Sequence, residues 1–448
     1  MNIAFEISPL LTASGTFGDK SGVYRYMYGL LNGMTQYIKK NKLDIKIYLF
    51  SFNPHFLKTP INPEIYDLID KKRVILLRRD PPFKEVTSIY SQIITKVLQI
   101  KPNLFFRIIN RIFFIKYFLG YITEKIEFQS YIKILDFEFT KRKIKIIFHS
   151  ETAFFPVGDY KNISIMYDLT PINLPEFHRS ETIDLKKRKL NFALNYCNGI
   201  ICISKSTKDD LLKYSPVFKE KKVIIGYPGL DEYFKIAAAQ KMNAKTSMKE
   251  LNLLLKKHSN SIEDEKYLLY YGTFEPRKNI IFLVKAFMDL HKENQIPKDF
   301  KLVLIGGEGW GKVKKKIRNY LNEEYPIVDQ RKVVLMDYVN DDYLTKFIKN
   351  AYAVVYPSIY EGFGLPVLES MALKTTVVSS NTSSLPEVGG HSVLYTNPWD
   401  FFDLKEKIRY LVKHKSFAKE LAKDGLVQAS QFTWDETINK VMKLIKSL

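Results

Sequence analysis

The chain is expected to be an α/β protein of two doubly wound parallel-sheet domains facing across a cleft, and three observations predict it. Short apolar runs alternate with longer runs of helical periodicity, the pattern of βαβ units. The alternation breaks at residues 235–266 and then restarts. A length of 448 residues exceeds what one ordinary hydrophobic core supports. Ligands of such sheets bind at the carboxyl ends of strands, and the glycine-rich segments of this chain follow strand-like runs.

In chain order, Ile3 to Ile7 reads as the first strand. Met1 to Ile7 lacks the basic region and long apolar core of a leader peptide. Ser21 to Lys39 has helical periodicity, and Ile45 to Phe50 is a strand. Ile144 to Phe148, Ile163 to Tyr167 and Gly199 to Ile203 are short buried-strand runs, and Val223 to Ile225 closes a first domain, 1–234. Residues 235–266 are rich in Lys and Ser, contain Ala237-Ala238-Ala239 and Leu251 to Leu255, and read as a linker with a helical insert. A second domain, 267–430, has strands at Tyr267 to Tyr271, Lys301 to Ile305, Val333 to Met336, Ala353 to Tyr356 and Thr376 to Ser379. Its helices are Ile280 to Leu290, Phe402 to Val412 and Ser416 to Gln428, and a final helix runs from Trp434 to Leu448 within 431–448.

Residues 80–130 leave this pattern. Lys101 to Ile122 holds Phe105, Phe106, Phe113, Phe114 and Phe118 with four bases, Lys101, Arg107, Arg111 and Lys116, and no acid. Arg107 and Arg111 share one helical face. A basic, aromatic, amphipathic helix has the composition of an interfacial membrane element. The same pattern also suits a helix packed in a protein groove with its basic side in water.

The net charge of +21 admits nucleic acid, an anionic membrane surface or anionic substrates as partners. A nucleic-acid binder needs a reading module, and none is legible. The charge is therefore assigned to an anionic membrane surface together with an anionic substrate. Two cysteines, Cys197 and Cys202, exclude a disulfide framework and lack zinc-site spacing, which fits a reduced compartment. No run of about 18 uncharged apolar residues is present, so no spanning helix is expected. The expectation is a cytoplasmic protein, peripheral on the inner face of the cytoplasmic membrane.

The most informative stretch runs from Ser358 to Glu369, between an apolar run and an amphipathic one. Gly362 and Gly364 let the backbone approach a ligand there, and the N–H groups of a helix start form an anion site. Glu361 and Glu369 bracket that start, which fits a sugar nucleotide held at its phosphates by backbone. On one helix these carboxylates would stand about 12 Å apart. A glycosidase pair needs roughly 5 to 9.5 Å. Separate jobs are expected, one near the sugar and one near the ribose.

Gly272 to Asn279 places Arg277 and Lys278 side by side after a strand, where they can meet a diphosphate or form a solvated surface turn. Leu304 to Gly311, with Gly306 and Gly307, can cradle phosphate or simply turn. Ser14 to Tyr26, with Gly22, suits contact with the far side of a bound sugar, or is a flexible loop. His149 and Asp168 follow neighbouring strands and can line the cleft; the plain readings are a satisfied core histidine and a capping aspartate.

Taken together, these stretches resemble the retaining glycosyltransferases of family 4, which have the GT-B fold of two Rossmann-like domains. The resemblance is to bacterial surface-polysaccharide mannosyl- and glycosyltransferases. It lies in Gly272 to Asn279, Gly306 to Gly311, Glu361 to Glu369 and Ser383 to Val388, and more loosely in Ile203 to Leu211 and Tyr227 to Asp231. It implies a nucleotide-sugar donor, GDP-mannose or a UDP-sugar, and a glycan or polyprenyl-linked acceptor. Glu361 would hold the donor-sugar hydroxyls and Glu369 the ribose. The N–H groups of Phe363, Gly364 and Leu365 would bind the diphosphate, and Arg277 and Lys278 would neutralise it on leaving. Gly272, Gly306, Gly307 and Gly362 would line the donor site, with the base near Tyr338 and Val339. Gly22 would lie near the diphosphate, His149 near the donor sugar and Asp168 in the acceptor cleft. The final helix would cross back onto the N-terminal domain.

Retention in this family is attributed to a front-face path in which the leaving phosphate deprotonates the acceptor hydroxyl. That path needs no protein nucleophile, no cofactor and no metal, and no Asp-x-Asp pair is placed for a metal. Charge stabilisation of the diphosphate becomes the main catalytic term. Three positions depart from the family pattern. Thr273 stands where many members have Arg, Leu373-Lys374-Thr375-Thr376 replaces a Gly-x-Pro turn, and Tyr167 precedes Asp168 where relatives often have His. The alternatives on the same fold are a non-hydrolysing sugar-nucleotide epimerase and a catalytically vestigial membrane scaffold.

Overall fold

The computed structural model describes residues 1–12, 22–52, 65, 68–69, 73–75, 128–129, 131–240, 243–256, 260–263 and 266–448. The basic aromatic stretch Lys101 to Ile122 and the loop 14–21 lie outside the described residues.

Two parallel sheets organise the chain. Among the described residues the first has seven strands: β1 (Asn2–Glu6), β2 (Lys46–Phe50), β3 (Val74–Ile75), β4 (Ile144–His149), β5 (Lys161–Met166), β6 (Gly199–Cys202) and β7 (Lys222–Ile225), in the order β3-β2-β1-β4-β5-β6-β7. The second has six: β8 (Tyr267–Tyr271), β9 (Lys301–Ile305), β10 (Val333–Met336), β11 (Ala353–Tyr356), β12 (Thr376–Ser380) and β13 (Leu394–Thr396), in the order β10-β9-β8-β11-β12-β13. All five pairings of the second sheet are parallel. Strands covered on both faces read as unbroken apolar runs. Accordingly every residue of β8 and of β11 is buried.

The strand order reverses between β1 and β4 in the first sheet and between β8 and β11 in the second. Loops leaving the carboxyl ends of such a strand pair diverge to opposite sides and leave a crevice for ligand. In the second sheet those two loops carry the Arg277-Lys278 pair and the Glu361 segment.

By packing, the chain divides into two compact units, 1–19 with 42–162 and 20–41 with 163–448. In the first unit Ala4, Phe50, Phe52, Tyr131, Leu135, Phe139, Ile144 and Ile147 form one apolar cluster. The second unit takes in the helix Gly22–Lys40 because the helix Trp434–Ser447 packs on it. Trp434 sits against Gly29 so closely that any side chain there would overlap its ring. Tyr26 Oη donates to Gly226 O at 2.9 Å, and Thr437 Oγ1 to Tyr227 O at 2.5 Å. Thr433 caps the start of that last helix by accepting from Glu436 N–H, and Asp435 and Glu436 complement its dipole.

The segment 235–266, expected to be a linker with a helical insert, is largely helical among its described residues. They hold most of one helix, Glu232–Ala239, and all of a second, Ala244–Leu255. The second packs on the helix Asp341–Asn350, where Asn350 Nδ2 donates to Ser247 Oγ at 2.8 Å and Lys346 pairs with Glu250 at 2.7 Å. Cys197 and Cys202 are free and buried. Among the described residues no helix is long and apolar enough to cross a membrane.

Candidate functional site

The loop after β8 and the loop after β11 meet through ions. Lys278 Nζ lies 2.5 Å from Glu361 Oε1, and Arg277 Nη1 3.0 Å from Glu361 Oε2. Ser358 Oγ donates to the same Oε1 at 2.6 Å. Arg277 also donates to Tyr360 O at 2.8 Å and pairs through Nε with Glu275 at 3.2 Å, while Lys278 donates to Tyr356 Oη at 2.8 Å. The backbone joins the loops as well, Ile359 N–H donating to Arg277 O at 2.8 Å. The Glu361 side chain is only 8% exposed. Burial alone would raise its carboxyl, but Lys278, Arg277 and the hydrogen bonds from Lys278 and Ser358 bring it down to about 2. Burial and the neighbouring Arg277 lower Lys278 from the ordinary lysine range, against the pull of Glu361. The surface-turn reading of Arg277 and Lys278 does not hold, since both are withdrawn from water onto one carboxylate.

Glu361 and Glu369 do not share a helix. The helix begins only at Leu365, after Gly364 has turned the chain at φ +109°, a left-handed conformation that favours glycine. The segment between is held mainly through its carbonyls. Ser384 Oγ lies 2.8 Å from Glu361 O and 2.7 Å from Phe363 O, while Glu361 N–H donates to Ser383 Oγ at 2.9 Å. The residues of Ser383 to Val388 thus shape the loop expected to face the phosphates. Gly362 packs on the strand-end segment 167–168, and a Cβ there would stand 2.5 Å from Tyr167 O. Gly22, the first residue of its helix, faces the same loop, with Leu365 Cδ1 3.6 Å from where its Cβ would be.

Glu369 lies on the inner face of that helix, 3% exposed. Arg25 Nη1 reaches its Oε1 at 2.5 Å, and Tyr271 Oη its Oε2 at 3.1 Å. Burial pushes the Glu369 carboxyl up to about 7 against the opposing pull of Arg25 and Tyr271.

The two glycine loops lock onto each other. Gly272 N–H donates to Ile305 O and Phe274 N–H to Gly307 O, both at 2.9 Å. A Cβ on Gly306 would run into the Gly272 backbone, 2.7 Å from its carbonyl carbon. Gly306 is thus required by this loop contact, and Gly272 by its φ of +138°. A Cβ on Gly307 would meet no protein atom within 4 Å, so its missing side chain leaves room that the protein does not use. Beyond β10, Lys314 Nζ donates to Met336 O at 3.0 Å and pairs with Asp337 at 2.6 Å. The adjacent Tyr338 is 52% exposed, and Val339 is half-buried.

Asp168 accepts from Thr170 N–H at 3.0 Å, so it caps its turn as the plain reading allowed. Its charge nevertheless acts on Arg277 and on His178. Sequence reasoning missed His178. Burial lowers its pKa, Asp168 opposes that and Arg277 adds to it, while its ring lies 6.0 Å from Trp310. Three of the resembling segments meet at Glu387, which accepts from Lys205 N–H at 2.8 Å, Ser206 N–H at 3.0 Å and Tyr227 Oη at 2.9 Å. His149, in the first unit, is fully buried at the end of β4, with Nε2 2.8 Å from Asn162 Oδ1 and its ring stacked on Phe52.

Comparison with known proteins bears on the family and the fold. Residues 254–427 match the family described as glycosyl transferases group 1. The chain is 27% identical over 304 residues to the O-antigen chain mannosyltransferase B of Escherichia coli, covering 67% of this chain and 74% of that protein. It is 26% identical over 288 residues to the serotype-specific mannosyltransferase WbdA of Escherichia coli, covering 62% of this chain but only 32% of WbdA. In structure it is similar to sucrose-phosphate synthase of Thermosynechococcus elongatus, with a TM-score of 0.64 at 18% identity over 100% of this chain and 98% of that one. It is likewise similar to Anabaena Alr3699/HepE in complex with UDP and glucose, with a TM-score of 0.63 at 14% identity over 100% of both chains. At such identities the likeness shows the fold. Residues 254–427 are a glycosyl transferases group 1 domain, the two Rossmann-like parallel sheets are those of the GT-B fold, and the protein is a glycosyltransferase.

Proposed function

We propose that the protein is a metal-independent, retaining glycosyltransferase that moves a sugar from GDP-mannose or a UDP-sugar to a glycan or polyprenyl-linked acceptor. The observation that carries this reading is the Glu361 carboxylate held between Arg277 and Lys278 at the strand ends of the switch point. A nucleoside diphosphate offers those two cations a stronger partner. Once they turn to it, the oxygens of Glu361 are left to accept hydroxyls of the donor sugar. As the glycosidic C–O bond breaks, negative charge grows on the leaving diphosphate, where Arg277, Lys278 and the N–H groups of Phe363, Gly364 and Leu365 stabilise it. The leaving oxygen takes the proton of the acceptor hydroxyl, the new bond forms on the same face, and an α-linkage results. Glu369 holds the ribose, and the base lies by Tyr338.

The names of the relatives support mannose as the sugar and a surface polysaccharide as the product. A polyprenyl-linked acceptor places the enzyme on the inner face of the cytoplasmic membrane, where a net charge of +21 favours anionic lipid. The test is a thermal-shift panel of nucleoside diphosphates and nucleotide sugars with and without EDTA, followed by turnover with glycan acceptors. A ligand of the native state raises the melting temperature. One selective stabiliser, indifferent to EDTA, and an α-linked product support the reading. Epimerised nucleotide or free sugar formed without acceptor makes the protein an epimerase, and no response to any nucleotide makes it a scaffold.

A further inference from the structure

Arg25 is the fourth residue of the helix Gly22–Lys40, at the end of the Ser14 to Tyr26 segment, and its guanidinium is spent on the donor half of the site. Nη1 bonds Glu369 at 2.5 Å and Nη2 bonds Asp341 at 3.0 Å. The side chain is 14% exposed, and its guanidinium carbon lies 5.2 Å from the centroid of the Phe234 ring. Tyr271 Oη lies 3.1 Å from the other Glu369 oxygen and shares its one proton between that oxygen and Pro366 O at 2.8 Å, so at most one donor comes from it. A carboxylate has about four lone-pair sites. One donor on each oxygen therefore leaves a second site on each, the number that a vicinal diol can fill.

We propose that Arg25 is a positioning residue for the nucleotide ribose: its guanidinium holds Glu369 as an oriented anion whose remaining lone pairs face the ribose diol, and Asp341 competes for it. The inference rests on the assignment of Glu369 to the ribose made above. The charged and titratable groups acting on Glu369 come from four elements. They are Arg25 on the helix Gly22–Lys40, Tyr271 on β8, Asp341 at the start of the helix Asp341–Asn350, and Asp231, which caps the helix Glu232–Ala239. Burial raises Glu369 and both aspartates add to it, while Arg25 is the cation that opposes them. Without Arg25 the carboxylate protonates at higher pH and loses its tether. Without Asp341 the guanidinium serves Glu369 alone.

The experiment is calorimetric titration of the full chain from pH 5.5 to 9 with UDP and GDP, then with the 2′,3′-dideoxy counterpart of whichever binds. The terminal phosphate titrates in both forms and cancels in their affinity ratio, so the ratio reports Glu369. In the wild type the ratio favours the ribonucleotide and rises with pH. In Arg25→Gln its midpoint moves up by at least one pH unit, which lowers the ratio at least about fivefold at pH 7, where the wild-type carboxylate is about half ionised. Dideoxynucleotide affinity stays unchanged, which shows that the variant is folded. Arg25→Lys moves the midpoint less, and Asp341→Asn moves it down. Midpoints unmoved in Arg25→Lys and Asp341→Asn overturn the role of Arg25 even if Arg25→Gln fails to fold. No preference for ribonucleotide in the wild type, or no binding of either nucleotide, overturns instead the ribose assignment beneath it.

Discussion

Replacing Glu361 by Gln removes one negative charge and little volume from a place where two cations are buried. Two routes give the cost. The carboxyl is depressed from 4.5 to about 2, and at 1.36 kcal/mol per unit that is about 3 kcal/mol of native-state stabilisation. Removing one partner of a buried ion pair costs roughly 3 to 5 kcal/mol, because the other charge stays behind. The glutamine carbonyl still accepts one or two of the hydrogen bonds, so the lower end applies, a fall in melting temperature on the order of 5–10 °C. The deficit is full above pH 5 and shrinks as pH falls from about 4.5 toward 2, where the wild-type carboxylate also becomes neutral. A saturating nucleoside diphosphate supplies the missing counter-charge to Arg277 and Lys278. Its thermal shift is therefore larger in the variant than in the wild type, while sugar transfer falls sharply. Differential scanning calorimetry across pH, with and without nucleotide, reads all of this. A nucleotide-free variant that melts within a degree of the wild type would refute the claim that Glu361 holds the two cations. A deficit that ligand leaves untouched would refute their meeting the diphosphate.

Four further substitutions are informative. Gly306→Ala forces the glycine loops apart and costs about 1–3 kcal/mol by denaturant unfolding, with a parallel loss of nucleotide affinity. Gly307→Ala, which meets no protein atom within 4 Å, leaves stability within about 0.5 kcal/mol and lowers only nucleotide affinity, read by calorimetric titration. Arg277→Ala weakens diphosphate binding and turnover together, by about tenfold or more each, since it removes a charge-assisted contact to the leaving group. Gly29→Ala drives a methyl group into Trp434, costs about 1–3 kcal/mol, and makes the helix Trp434–Ser447 an early target in limited proteolysis.

The strands β8 to β12 of the second sheet were legible because a doubly covered strand is an apolar run, and β8 and β11 are buried at every position. The strands β3 and β13, of two and three residues, are too short to carry a pattern. The helix Asp341–Asn350 went unread although its start is written out, with Asn340 accepting from Tyr343 N–H and two acids in the first turn. At the site, Arg277, Lys278 and Glu361 stood out because each lies a few residues past a strand. Their mutual pairing was not readable, since residues more than 80 positions apart meet only through the order of β8 and β11. His178, and Arg25 apart from its place in the Ser14 to Tyr26 segment, carry no signal of their own, because a histidine after a turn and an arginine early in a helix look alike in a core, on a surface or beside a ligand. The 12 Å separation of Glu361 and Glu369 holds only on a shared helix, and spacing alone does not reveal where Gly364 turns the chain and Leu365 starts the helix.

The seating of Trp434 against Gly29 also sets an order of events. The helix Gly22–Lys40 is made early, but the surface that covers its glycine face arrives roughly 400 residues later. At ribosomal speeds of about 5–20 residues per second, that face waits for tens of seconds. During this interval Tyr26, whose ring will lie 5.4 Å from that of Trp434, lacks that partner, so the nascent chain must be shielded there or it will associate. The same contact, once made, joins segments at great sequence separation and forms late for that reason. Its loss would speed unfolding far more than it would slow folding.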